Sequence, residues 1–255
     1  MQLTFDLETT PLVPQLRDHL LVTFGPQRAQ GRHDPLSQLI KSLISARTKD
    51  DDSWAAFVRL TGAFGDWAEL ATAAPKRIEA AIAAVTFADA KARQLPILIR
   101  VIQIRAGALD LSFLADRSVE DAMDWLQSLP GVGCLSAAAT LNFSTLARRV
   151  LPVDTHTHRV VRRLGLAGRA SDPADACHTL MSMVPQAWRA EDLFELHWLL
   201  KGLGQSICTD EAPKCGMCPL RAMCPRIGVG VGRKVVDFAA ARKQAPAPEE
   251  SGTLV

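Results

Sequence analysis

Residues 129–137 read Leu129-Pro130-Gly131-Val132-Gly133-Cys134-Leu135-Ser136-Ala137, a two-glycine turn between two apolar stretches of helical spacing. Gly131 and Gly133 permit backbone angles that a side chain forbids, and they let a bulky anion come close to the main chain. A helix that begins beside them aims its unpaired N–H groups and the positive end of its dipole at one spot. This makes an anion site suited to a phosphodiester backbone, with no base reading implied. The local spacing fits a plain helix–turn–helix corner equally well.

Outward from this turn, apolar residues recur at three- and four-residue intervals almost everywhere and no alternating strand pattern emerges, so the expected fold class is all-α. Helices are expected from Pro35, with Asp34 as cap, and over 51–62, 75–84, 88–106, 118–128, 134–145, 155–164, 172–183 and 190–206. Asp34, Ser118, Asp154 and Ser171 are the expected caps, and Gly62, Gly165 and Gly204 the expected stops. From about residue 233 the chain turns polar and proline-containing, which reads as a mobile tail.

The 255 residues, 48% hydrophobic and 22% charged, are enough for two modest domains. A net charge of +2 is too small to identify a nucleic-acid partner, so any basic surface must be local. No apolar run approaches the roughly 20 residues of a membrane span. No basic segment followed by an apolar run opens the chain, so neither a membrane partner nor a signal peptide is expected. The expected location is cytoplasmic.

Twenty-one residues beyond Gly133 stands Asp154, within Pro152-Val153-Asp154-Thr155-His156-Thr157-His158-Arg159-Val160-Val161-Arg162-Arg163. Helix capping alone would explain an aspartate there. His156 and His158 are two apart, so one helical face cannot offer both to a metal; one is expected packed and the other exposed. Arg159, Arg162 and Arg163 read as a solvated face or as phosphate contacts.

Four of the six cysteines fall within seventeen residues, as Cys208-x6-Cys215-x2-Cys218-x5-Cys224. Four soft thiolates in one short loop suit either tetrahedral zinc or an iron–sulfur cluster. Zinc ribbons pair two Cys-x2-Cys knuckles, and only one is present. Cys134 and Cys177 lie outside this motif, Cys177 expected buried and Cys134 nearer solvent.

LPGVG, then VDTHTHRVVRRLGL, then the cysteine loop near the C-terminus closely resemble the helix-hairpin-helix and catalytic-aspartate segment of the endonuclease III superfamily of DNA glycosylases. The resemblance runs from about residue 34 to 226 and is strongest after 118. It implies a six-helix domain over 36–150, a second domain combining 1–35 with 151–232, and an active cleft between them. It implies a 4Fe–4S cluster on Cys208, Cys215, Cys218 and Cys224, structural in role, with Lys214 and Arg221 of its loop available to phosphates. Asp154 becomes the catalytic carboxylate, and Gly131, Val132 and Gly133 become the DNA-backbone contact.

Family members that also cut the strand carry a lysine at the second position after the hairpin's last glycine, where its amine forms a Schiff base with the sugar. Here that position is Leu135, and neither Cys134 nor Ser136 can form an imine. The chain therefore resembles a monofunctional, water-using glycosylase of base excision repair. Related enzymes fill the gap left by the flipped base with a glutamine at the end of the first long helix. The matching stretch LISARTKD puts Arg47 there, and Phe87 of Val85-Thr86-Phe87 is a second inserter, unless it is a core phenylalanine. The implied partner is double-stranded DNA with a damaged or mispaired base, bound by a monomer associated with the nucleoid. Three rivals stand beside this reading: a bifunctional enzyme using another amine such as Lys49, a non-catalytic lesion-binding module and, last, a zinc-based regulator.

Overall fold

The structure, a computed structural model, describes residues 12–230; the tail expected from 233 lies outside them. Ten α-helices and three 3-10 turns are present among the described residues, with no strand, as the periodicity predicts. The helices are α1 (Leu12–Phe24), α2 (Pro35–Ser45), α3 (Asp50–Ala63), α4 (Pro75–Ala81), α5 (Ala88–Ala106), α6 (Val119–Gln127), α7 (Cys134–Phe143), α8 (Thr155–Arg163), α9 (Pro173–Met183) and α10 (Ala190–Ser206). None of them is long and apolar enough to cross a membrane.

Helix α2 shows how local sequence sets an element. Asp34 accepts from the Ser37 N–H at 2.9 Å, Pro35 occupies the first turn where no N–H is needed, and Leu36, Leu39, Ile40, Leu43 and Ile44 are all buried. Helix α2 packs on α3, α5 and α7. In α7 every residue from Ser136 to Asn142 is buried, the pattern of a helix enclosed on all sides. Helices α8, α9 and α10 form a second group that α7 also touches.

Several expectations change. Helix α1, which the sequence reading does not contain, packs on α10 and α9 through Val13, Leu16 and Leu20. It is pinned there by Arg17, whose Nε donates to Glu195 Oε2 at 2.7 Å and whose Nη2 meets Asp192 at 3.2 Å. The cap of α9 is Asp172 rather than Ser171: its Oδ1 accepts from Ala174 and Asp175 N–H, and Pro173 follows at the first helical position. Gly62 lies just inside α3, which ends one residue later. Gly204 does not stop α10, which continues to Ser206. A Cβ on Gly204 would lie 2.9 Å from that of His156, so the glycine allows α8 and α10 to approach closely. Gly165, at φ +76°, does end α8 as expected.

Candidate functional site

The hairpin lies between α6, capped by Ser118, and α7. Gly131 has φ +75°, and a Cβ there would collide with the Gln94 amide of α5, whose Nε2 donates to Pro130 O at 3.1 Å. The positive φ is what calls for glycine at 131; the Gln94 amide, at the end of a flexible side chain, could move aside for a Cβ at the cost of its bond to Pro130. Gly133 departs from expectation. Its φ of −93° and ψ of 175° are extended backbone open to any residue, and nothing stands within 4 Å of where its Cβ would be. Its contribution is the open approach alone. No side chain caps α7, so its leading N–H groups face that opening. Val132 is buried and anchors the turn, while Gly131 and Gly133 are exposed. Leu135 stands half-buried in the first turn of α7.

Asp154 heads α8 and caps it, Oδ1 accepting from the Thr157 N–H at 2.7 Å. The capping role read from sequence is real and engages one oxygen; Oδ2 accepts no hydrogen bond among the described residues. The Thr157 hydroxyl, one turn on, is buried without a partner among the described residues. The sequence reading missed His197 of α10, which is buried, with Nδ1 2.8 Å from Pro152 O. Burial holds its imidazole below the ordinary histidine range, although the Asp154 carboxylate pulls the other way. Because a carbonyl only accepts, Nδ1 carries the proton of this neutral ring and Nε2 remains an acceptor. The ring also packs on Phe143 at the end of α7, with centroids 5.1 Å apart. His197 thus links Pro152, just before α8, with Phe143 at the end of α7, and no local pattern marks a lone buried histidine for such a junction.

His156 and His158 are both half-buried and both bonded, to Arg159 at 3.2 Å and to Ser171 at 3.4 Å, because α8 is flanked by α9 and α10. The expected split into packed and exposed does not occur. Two of the arginines expected at a solvated face are used internally. Arg159 donates to Cys208 O at 3.0 Å and Gly204 O at 2.7 Å. Arg163 donates to Thr209 O at 2.6 Å and Asp210 O at 2.8 Å. They hold the cysteine loop to α8. Cys208, Cys215, Cys218 and Cys224 line one open concavity, with Arg221 also in its lining. Arg163 Nη1 and the Arg226 N–H each donate to a cysteine sulfur, at 3.4 Å. Lys214 is exposed and donates to Ser206 O at 3.3 Å. As expected, Cys177 is buried and Cys134 less so.

Arg47 and Phe87 lie on adjacent loops joined by the Thr86 N–H donating to Thr48 Oγ1 at 3.1 Å. Each has φ 59°, a left-handed conformation uncommon outside glycine. Phe87 is 56% exposed, which overturns its reading as a core residue. Lys49 is exposed at the cap of α3.

An all-helical chain with a glycine hairpin followed by a carboxylate-headed helix defines the helix-hairpin-helix class. The chain belongs to the HhH-GPD superfamily of base excision DNA repair proteins, whose family pattern matches residues 40–186. Endonuclease III of Thermotoga maritima is 28% identical over 192 residues, covering 75% of this chain and 83% of that protein. Protein ROS1A of rice (Oryza sativa subsp. japonica) is 29% identical over 161 residues, 58% of this chain. The chain spans between 8% and 58% of the length of the first curated relatives it matches. Among solved structures, an endonuclease III trapped as a covalent DNA intermediate superimposes with TM-score 0.70 at 22% identity, over 84% of this chain and 94% of that one. A thermostable thymine-DNA glycosylase gives 0.66 at 19%, over the same shares. At these identities the likeness is one of fold.

Proposed function

We propose that the chain is a monofunctional DNA glycosylase that hydrolyses the N-glycosidic bond of a flipped damaged or mispaired base in double-stranded DNA. The observation that carries this reading is Leu135 in the first turn of α7, where an imine-forming lysine would stand, together with the Asp154 carboxylate at the head of α8. Relatives and neighbours include both an endonuclease III trapped covalently on DNA and a thymine-DNA glycosylase, so family membership alone supports either outcome. A leucine has no nucleophile, and water remains to attack the sugar.

In this reading the uncapped amino end of α7 and the open face at Gly133 bind a backbone phosphate, helped by Lys214 and Arg221. The chain acts as two domains, 36–150 and 1–35 with 151–232, with the target base received between them. Asp154 does the chemistry. Its charge stabilises the oxocarbenium-like sugar as the base departs, and its Oδ2 orients or deprotonates the attacking water. His197, neutral and fixed by Pro152, holds the floor beside it.

The cysteine loop fits a 4Fe–4S cluster held by Cys208, Cys215, Cys218 and Cys224. Four soft thiolates on one short loop suit such a cluster. The four thiols ring one concavity, with donors already aimed at two sulfurs. Bound there, the cluster cross-links the loop and takes no part in hydrolysis.

The damaged base costs a few kcal/mol to unstack, and something must fill its place. Arg47 and Phe87 are the proposed inserters. Phe87→Ala and Arg47→Ala are each expected to slow excision from duplex DNA about tenfold, the equivalent of ~1.4 kcal/mol, while sparing the same base in a single strand. Equal losses on both substrates would deny them this role. The reading as a whole is tested by a panel of duplexes, each with one altered base, assayed for free base; release from none of them would leave the lesion-binding module.

A further inference from the structure

One amine ties both proposed inserting loops together. Lys91 lies in the first turn of α5, where its N–H donates to Phe87 O at 3.0 Å. Its side chain crosses to the end of α2, where Nζ donates to Ile44 O at 2.9 Å and to Ala46 O at 2.7 Å, immediately before Arg47. A left-handed non-glycine backbone persists only where its surroundings impose it, and Arg47 and Phe87 both require such restraint. The carboxyl end of α2 also favours a cation, since it gathers unpaired carbonyls at the negative end of the helix dipole. Among the described residues Lys91 has no carboxylate partner, and its amine bonds to these two carbonyls alone.

We propose that Lys91 is a positioning residue for DNA insertion, its charged amine clamping the end of α2 to the start of α5 so that Arg47 and Phe87 enter the duplex at a fixed separation. This rests on the insertion roles given above to those two residues.

Burial lowers the Lys91 amine to about 8. The charged groups on the surrounding elements are Lys41 on α2, Arg47 and Lys49 in the following loop, Lys76, Arg77 and Glu79 on α4, and Asp89, Arg93, Arg100 and Arg105 on α5. None contributes to that shift, and Asp89 is engaged by Arg93 at 2.8 Å. Near neutral pH the clamp is charged, and above about 8 it becomes a neutral amine whose bonds to carbonyls are weaker. The effect on global stability has the opposite sign. The folded amine holds its proton less tightly than the unfolded chain, so between about 8 and 10.5 Lys91 alone adds stability as pH rises. Alkaline loss of insertion is therefore distinct from unfolding.

The test uses the full chain and a duplex with a tetrahydrofuran abasic analogue opposite 2-aminopurine, whose fluorescence reports insertion. For the wild type, the population of the inserted complex should fall by up to about tenfold between pH 7 and 9, following the charged fraction of one group. Lys91→Met should show about a tenfold smaller insertion constant at pH 7 and a flat profile. Lys91→Arg, charged throughout, should insert at pH 7 and lose the alkaline fall. If Lys91→Met does not fold, the arginine variant decides. Wild-type behaviour of Lys91→Met, or an unchanged alkaline fall in Lys91→Arg, overturns the proposal while leaving insertion itself standing if Arg47→Ala and Phe87→Ala lower the signal. Full insertion by both of those alanine variants overturns the insertion reading and this inference with it.

Discussion

Asp154→Asn is expected to keep the fold and the affinity for DNA and to slow base release at least ~100-fold. Asparagine caps helices as well as aspartate does, and its carbonyl can still accept from the Thr157 N–H now held at 2.7 Å. What disappears is one negative charge beside the sugar. Removing a main electrostatic stabiliser of a transition state costs roughly 3 kcal/mol, which sets the expected factor. The neutral state of His197 should persist, because burial dominates its environment and the lost carboxylate was the largest of the influences opposing it. Single-turnover base release at saturating enzyme, with melting temperature and binding measured in parallel, separates the roles. Near-normal excision would reduce Asp154 to a helix cap.

The second large effect is expected at the cysteine loop. Purified anaerobically, the protein should carry iron and sulfide in the proportions of one 4Fe–4S cluster. Replacement of any one of Cys208, Cys215, Cys218 or Cys224 by alanine should remove nearly all of it. The loop has little else to close it. Leu220 is its one buried apolar side chain, and its ties to α8 are hydrogen bonds made by the Arg159 and Arg163 side chains and the Arg163 carbonyl. Metal binding of this kind is linked to folding of the segment that provides the ligands. Limited proteolysis should therefore cut the variants between Cys208 and Cys224 first, leaving α1–α10 compact. Stoichiometric zinc without iron in the unmodified protein would sink the assignment.

The parts of this molecule legible in the sequence are those whose cause is local. Asp34 and Ser118 cap the helices they precede, and Gly165 and Gly131 take the left-handed angles that only glycine adopts cheaply. Where two local signals competed, the finer one mattered. Ser171 and Asp172 are both good caps, but Pro173 belongs at the first helical position, which makes Asp172 the cap. Features with distant causes were hidden. Helix α1 is held by Arg17 against Glu195, 178 residues away. Gly204 looks like a helix stop until His156 is seen against it. The arginines of α8 read as a solvated face because nothing near them in sequence reveals that the cysteine loop folds back onto them. His197 and Lys91, each isolated in an apolar or mixed helix, gave no signal at all; their significance lies in the neighbours that the fold brings to them.

The account turns on hydrolysis without a covalent enzyme–sugar bond, and one measurement addresses that directly. Wild-type protein is incubated with a duplex from which it releases base, and the products are divided between mild neutral quench, hot alkali and borohydride. The account predicts strands that stay intact in the neutral quench and break in alkali, in amounts matching the base released, with no protein–DNA adduct after borohydride. A borohydride-trapped complex, formed with Leu135 in place, would show that another amine attacks the sugar, and the monofunctional reading would be wrong.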